Sequence, residues 1–105
     1  MALSGVHITF GYAVDVLNKH GPALPFNATS SQTMASPATS TISAPSELGV
    51  GPLPLLSISA SAPIFYVVGQ NPNINSDPRR YYDPALNSRE DIAVNPGERF
   101  AWTTA

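Results

Sequence analysis

Cysteine is absent from the 105-residue chain. That excludes disulfides, thiolate zinc sites and cysteine nucleophiles, and it leaves the redox compartment open. Charge is scarce as well. Charged residues make up 11% of the chain, against about a quarter in ordinary soluble domains. Lys and Arg together number 5, too few for the cationic face that phosphate backbones require, so nucleic acid is not an expected partner. No apolar run approaches the ~18–20 residues of a membrane-crossing helix. No Lys/Arg-led apolar segment opens the sequence, so neither a secretory leader nor a membrane partner is expected. There is no internal repeat. What the chain does have is turn-formers, with 11 Pro and 7 Gly, and many Ser and Thr. Its length sets one domain over residues 1–105.

Residues 6–16 carry the clearest period. Val6, Ile8, Phe10, Tyr12, Val14 and Val16 alternate with His7, Thr9, Gly11, Ala13 and Asp15. A two-residue repeat of β-branched and aromatic side chains argues strand. Gly11 marks a bend or bulge within it. A short helix over residues 13–20 is the rival, with Lys19 and His20 in its last turn, Gly21 as cap and Pro22 beyond. Residues 1–20 are thus an N-terminal strand region, and His20–Phe26 is a turn, because its two prolines remove donors from any central strand.

Residues 28–46 contain no charge and only two sizeable hydrophobes, Met34 and Ile42. The composition is that of a linker or arm. Ordering a backbone costs about 1–2 kcal/mol per residue, and two side chains cannot offset that over so long a stretch. Order in this segment therefore requires a large partner: its own sheet, a copy of itself, or another protein. With the breaker region around Leu48–Pro54 it makes up an extended Ser/Thr/Pro-rich arm, residues 21–54. Met34 and Ile42 are its candidate contact residues.

Residues 55–105 read as the body. Leu56, Ile58 and Ala60 alternate with Ser57, Ser59 and Ser61, a strand with one dry and one wet face. After Ala62-Pro63, the continuous run Ile64–Gly69 reads as a strand buried on both sides. Residues 70–90 are irregular and rich in Asn, Asp and Pro, and loops of that length are usually functional or interfacial. Ile92 and Val94, then Phe100 and Trp102, alternate on two closing strands. Pro96-Gly97 between them fits a type II turn over Asn95–Glu98. That turn matches hairpin twist poorly, so these are either a bulged hairpin or strands in different sheets. Short strands, Pro/Gly turns and no good amphipathic helix argue an all-β domain, a small β-sandwich or jelly-roll-like body with an extended arm.

No catalytic constellation emerges, and neither a cofactor nor a metal is expected. His7 and His20 have no partner at ligand spacing. Asp77, Asp83, Glu90 and Asp91 each neighbour an arginine or a proline, so loop ion pairs or Asp-initiated turns account for them. Gly49-Val50-Gly51 lacks the rest of a dinucleotide fingerprint. Asn27-Ala28-Thr29 matches the N-glycosylation triplet by chance. The pointed cluster is Arg79-Arg80-Tyr81-Tyr82, two residue types enriched at protein interface cores. Asp77 and Asp83 beside it oppose a nucleic-acid role. Tyr66, Tyr81, Tyr82 and Trp102 also allow a carbohydrate-binding sandwich as an alternative.

Three segments in order carry a resemblance: the Ser/Ala-rich stretch Leu56–Ser61, A-P-I-F-Y-V-V-G-Q-N-P at 62–72, and D-I-A-V-N-P-G-E-R-F-A-W at 91–102. Over roughly residues 48–105 the chain resembles small β-sandwich structural proteins of tailed bacteriophages, in particular capsid decoration (cement) proteins. In that group a strand ending V-x-G-x-x-P and a closing V-x-P-G-E/D-x-x-A-W/F hairpin recur. The resemblance implies a non-enzymatic virion protein that is made in the host cytoplasm and sits on the phage head surface. It also implies assembly with itself, as a homotrimer, and with the major capsid protein or another virion protein, bridging capsomers. A tail, collar or baseplate component, or a fibre-attachment domain, is the alternative within the same class.

Overall fold

The structure is a computed structural model and describes residues 4–13, 26–46 and 54–105. The described residues contain seven strands and no helix. They are β1 (Val6–Ala13), β2 (Phe26–Met34), β3 (Pro54–Ala60), β4 (Ile64–Gly69), β5 (Arg80–Tyr82), β6 (Glu90–Ala93) and β7 (Arg99–Thr104). They form two antiparallel sheets, one in the order β2-β1-β3-β6 and the other β5-β4-β7. The all-β sandwich expected from the alternation is the observed architecture.

The core follows from the period-two pattern. Val6, Ile8 and Phe10 on β1 lie opposite Ala60, Ile58 and Leu56 on β3, and all but Ala60 are fully buried. From the second sheet, Ile64, Tyr66, Tyr82, Phe100 and Trp102 meet them. Tyr66 and Phe100 stack with centroids 5.5 Å apart. Each such side chain contributes about 1.5–3 kcal/mol by leaving water. The outer face of the first sheet carries His7, Thr9, Ser57 and Ser59, so β1 and β3 have the expected dry and wet sides.

The β1–β2 register shifts between Phe10 and Gly11, where Phe10 faces Ser30 and Gly11 faces Ala28. The extra residue is Thr29, and its hydroxyl donates to the Phe10 carbonyl. The bulge expected at Gly11 is thus present, with its additional residue on the partner strand. The strand-or-helix question over residues 14–20 lies outside the described residues, as does His20.

The chain switches sheets three times in the body, one of them over residues 83–89 between β5 and β6. Ala62-Pro63 carries it from β3 in the first sheet to β4 in the second. The Asn95–Glu98 turn carries it from β6 to β7, so the closing strands belong to different sheets. That turn is type II: Glu98 N–H donates to the Asn95 carbonyl at 3.1 Å, and Gly97 sits at φ +83°. The Glu98 carboxylate also accepts from Asn95 N–H at 2.6 Å.

Part of the expected arm is built into the body. Residues 26–34 form β2, zipped along β1. Residues 38–44 then cross to the second sheet and run beside β7, with Trp102 N–H donating to the Ala38 carbonyl, Ser40 N–H to Phe100 and Ala44 N–H to Glu98. Of the three possible partners for this segment, its own sheets supply the order. Gln32 holds the crossing in place, its side-chain oxygen accepting from Thr41 N–H at 2.9 Å and Ile42 N–H at 3.4 Å.

Candidate functional site

The β4–β5 pairing sets Ile64 opposite Tyr82, Phe65 opposite Tyr81 and Tyr66 opposite Arg80. Strand alternation sends neighbouring side chains to opposite faces. Tyr82 therefore points into the core, 2% exposed, and its hydroxyl donates to the Asn87 carbonyl at 2.8 Å. Tyr81 points out, 52% exposed. Its ring lies 5.6 Å from that of Phe65, tilted by 59°. The Arg79 guanidinium caps Phe65 at 4.9 Å from the ring centroid, and Arg80 lies 6.0 Å from the Tyr66 centroid. Such cation–π contacts hold an arginine in place while leaving its outer donors available.

The carboxylates nearby are spent mainly on backbone, with Asp83 also accepting from the Tyr81 hydroxyl at 3.4 Å. Asp83 accepts from Ala85 N–H at 2.9 Å, and Asp77 from Asn73 N–H at 2.8 Å. These are Asp-built turns of the kind the Asn/Asp/Pro composition predicts. Among the described residues, Arg89–Asp91 at 3.1 Å forms the ion pair, and Arg79 and Arg80 have no carboxylate within that reach. Of the two readings of these carboxylates, Asp77 and Asp83 take the Asp-initiated turns and Asp91 the ion pair, while Arg79 and Arg80 stack on rings.

Beside the cluster, Tyr66, Val68, Pro78, Arg80, Ile92 and Glu98 border an open cleft of about 270 Å³. At its base the Tyr66 hydroxyl donates to the Glu90 carboxylate. Burial first, then that hydrogen bond and the Glu90 charge, push the Tyr66 phenol above its ordinary value, against the pull of Arg80.

The six residues expected at an interface separate into two groups. Arg79, Arg80 and Tyr81 are exposed at the β5 edge, Arg79 and Tyr81 against Phe65 on the outer face and Arg80 on the opposite side beside Tyr66. Met34 and Tyr82 are core residues, and Ile42 packs against the core. Met34 and Tyr82 lie on β2 and β5, strands within the sandwich, and Ile42 lies on the segment that runs beside β7, so their apolar side chains are taken up by the chain's own interior. Phe65 belongs to the surface and is not apparent in a continuous apolar run; its signal is its place between the inward residues Ile64 and Tyr66. The aromatic set considered for sugars divides similarly, since Tyr66, Tyr82 and Trp102 are buried and only Tyr81 can stack on a ligand.

His7 lies on the outer face of the first sheet, its Nδ1 2.7 Å from the Thr33 hydroxyl. No group of three or more His, Cys, Asp or Glu able to hold a metal ion occurs among the described residues. Comparison with protein-family models, with curated proteins and with solved structures found no match.

Proposed function

We propose that this chain is a non-enzymatic structural protein of a virion, a head decoration or cement protein that docks on neighbouring capsomers. The observation that carries the reading is the Arg79–Phe65–Tyr81 surface. It is an aromatic and arginine patch pre-set by stacking and mounted on a sandwich, with the Tyr81 hydroxyl donating to Asp83 at 3.4 Å and Arg79 in no ion pair among the described residues. Arginine and tyrosine held in this way lose little side-chain freedom on docking, which is what makes them effective interface anchors. The resemblance over residues 48–105 supports the same class, and its V-x-G-x-x-P and V-x-P-G-E segments fall at the end of β4 and at the type II turn into β7. Many weak copies on a lattice would add through multivalency.

The test is location and copy number in purified particles, by immunogold labelling and quantitative mass spectrometry. Many copies spread over the shell support the decoration reading. A few copies at one vertex or along the tail move the protein to the tail or collar, and absence from the particle removes the virion role. Arg79→Ala and Tyr81→Ala chains should occupy shells less than the unmodified chain while folding normally.

A further inference from the structure

The sandwich has two sheets and therefore four lateral edges, and three of them are blunted. β5 is only three residues long, begins at Arg80 and follows Pro78-Arg79. β6 is four residues long and carries Glu90 and Asp91, the latter paired with Arg89. The β7 edge is covered by residues 38–44. Short length, charge, proline and covering segments are the devices by which native sheets prevent edge-to-edge pairing. β2 has almost none of them. It is nine residues long, F-N-A-T-S-S-Q-T-M, with no charge, proline or glycine. Its bulge at Thr29 leaves Ser30–Met34 in regular register. Among the described residues, its backbone hydrogen bonds run to β1 alone.

We propose that the β2 edge pairs antiparallel with β2 of a second copy of this chain, joining two four-stranded sheets into one continuous eight-stranded sheet. Self-pairing about a two-fold axis requires a strand that tolerates its own sequence opposite it. A self-pair of β5 would be only three residues long, and one of β6 would gather four carboxylates within eight residues, a like-charge crowding that destabilises a strand pair. β2 sets Ser and Thr against Ser and Thr, whose hydroxyls can bond across the pair. Over Ser30–Met34 the edge offers neither a charge nor an exposed apolar side chain to select a foreign partner. Ser31 and Thr33 lie exposed on the outer face, and the larger Gln32 and Met34 turn inward. Matching backbone is what remains, and a second copy supplies it without further design. The contact is two-fold, unlike the trimer implied by the resemblance, so it stands or falls apart from the virion reading.

Sedimentation equilibrium of the whole chain from ~10 μM to ~1 mM spans the affinities of a contact made mainly of backbone hydrogen bonds. The expected result is a reversible monomer–dimer equilibrium. The chain carrying Ser31→Lys with Thr33→Lys, and that carrying Ser31→Asp with Thr33→Asp, should each dimerise about tenfold or more weakly. An equimolar mixture of the two should regain dimers. In the unmodified chain, amide exchange at Ser30–Met34 should slow as concentration rises, a readout that needs no variant. A chain that stays monomeric throughout, an oligomer indifferent to both double substitutions, or exchange in Ser30–Met34 that ignores concentration would each overturn the proposal.

Discussion

Ser40→Ala removes one oxygen from the junction between the crossing segment and β7, and its cost can be worked from three hydrogen bonds. Ser40 is 1% exposed. Its hydroxyl donates to the Ile42 carbonyl at 2.8 Å and accepts from Phe100 N–H at 3.0 Å. Its own N–H donates to the Phe100 carbonyl at 2.6 Å and survives the change. Alanine leaves the Phe100 N–H without its acceptor beside a fully buried ring, and a buried unsatisfied donor costs about 1–3 kcal/mol. The Ile42 carbonyl is partly open and can turn to water, so its loss adds little. The expected destabilisation is therefore about 2 kcal/mol, a fall of roughly 8–16 °C in Tm for a domain of this size. Urea denaturation followed by the fluorescence of Trp102 measures it directly, because Trp102 is the chain's single tryptophan and is 3% exposed. Ser43→Ala, at an exposed position of the same segment, should shift the midpoint by less than ~0.5 kcal/mol. If Ser40→Ala were equally silent, the account of residues 38–44 as an anchored part of the sandwich would be refuted.

Other substitutions separate backbone strain, titration and surface chemistry. Gly5 has φ +87°, and a Cβ there would overlap the Met34 carbonyl and lie 2.8 Å from the Ala35 Cα, so Gly5→Ala should cost more than ~2 kcal/mol. Gly97→Ala, at φ +83° but with only the Gln70 side-chain amide 3.1 Å away, should cost about 1–2 kcal/mol; equal midpoints in urea would contradict the distinction. Tyr66 has a raised folded-state pKa, so the folded state holds its proton more tightly than the unfolded chain does. The resulting stability is present below the ordinary tyrosine value of about 10 and is lost as pH rises through the folded value. Tyr66→Phe should flatten the alkaline limb of a stability–pH curve, and an unchanged limb would show that other groups cause it. Arg79→Ala should lower stability by less than ~1 kcal/mol, since an exposed cation–π contact contributes about 0.5–1 kcal/mol; a larger loss by the same urea assay would make Arg79 a structural residue instead of a docking one.

The strands with an apolar period were legible. In β1, β3 and β7, alternation alone names the buried face, and Pro63 and Pro96-Gly97 mark where the chain changes sheet. β2 was not legible, for a physical reason. Its inward positions are filled by Ser30, Gln32 and Met34, so no apolar alternation exists to read, and its order comes from β1, distant in sequence. Likewise, nothing near Ser40 announces a buried hydroxyl, because the N–H that donates to it is that of Phe100 on β7, 60 residues away. At the surface cluster, sequence supplied the right residue types without the phase. Tyr81 and Tyr82 are chemically alike, and only the pairing with Phe65 and Ile64 decides that the first faces water and the second the core.

This arrangement changes how the proposed docking surface has to be tested. A Ser/Thr-rich stretch invites deletion as a dispensable arm, and the loss of shell binding would then be credited to the arm. Yet residues 28–46 include most of β2 and the segment that covers the β7 edge. Removing them would uncover the backbone of β1 along its length and open one side of the core over Ile8, Phe10, Phe100 and Trp102. A chain so truncated would lose binding by losing its fold, whichever surface docks. Point changes at Arg79 and Tyr81 avoid that ambiguity, because both side chains lie outside the sandwich and the backbone pairing of β5 to β4 survives. Binding that falls with these two, while Trp102 fluorescence and the urea midpoint hold, locates the contact on the β5 edge. Binding that persists would move the search to the Ser/Thr face around His7, the other broad surface of the sandwich.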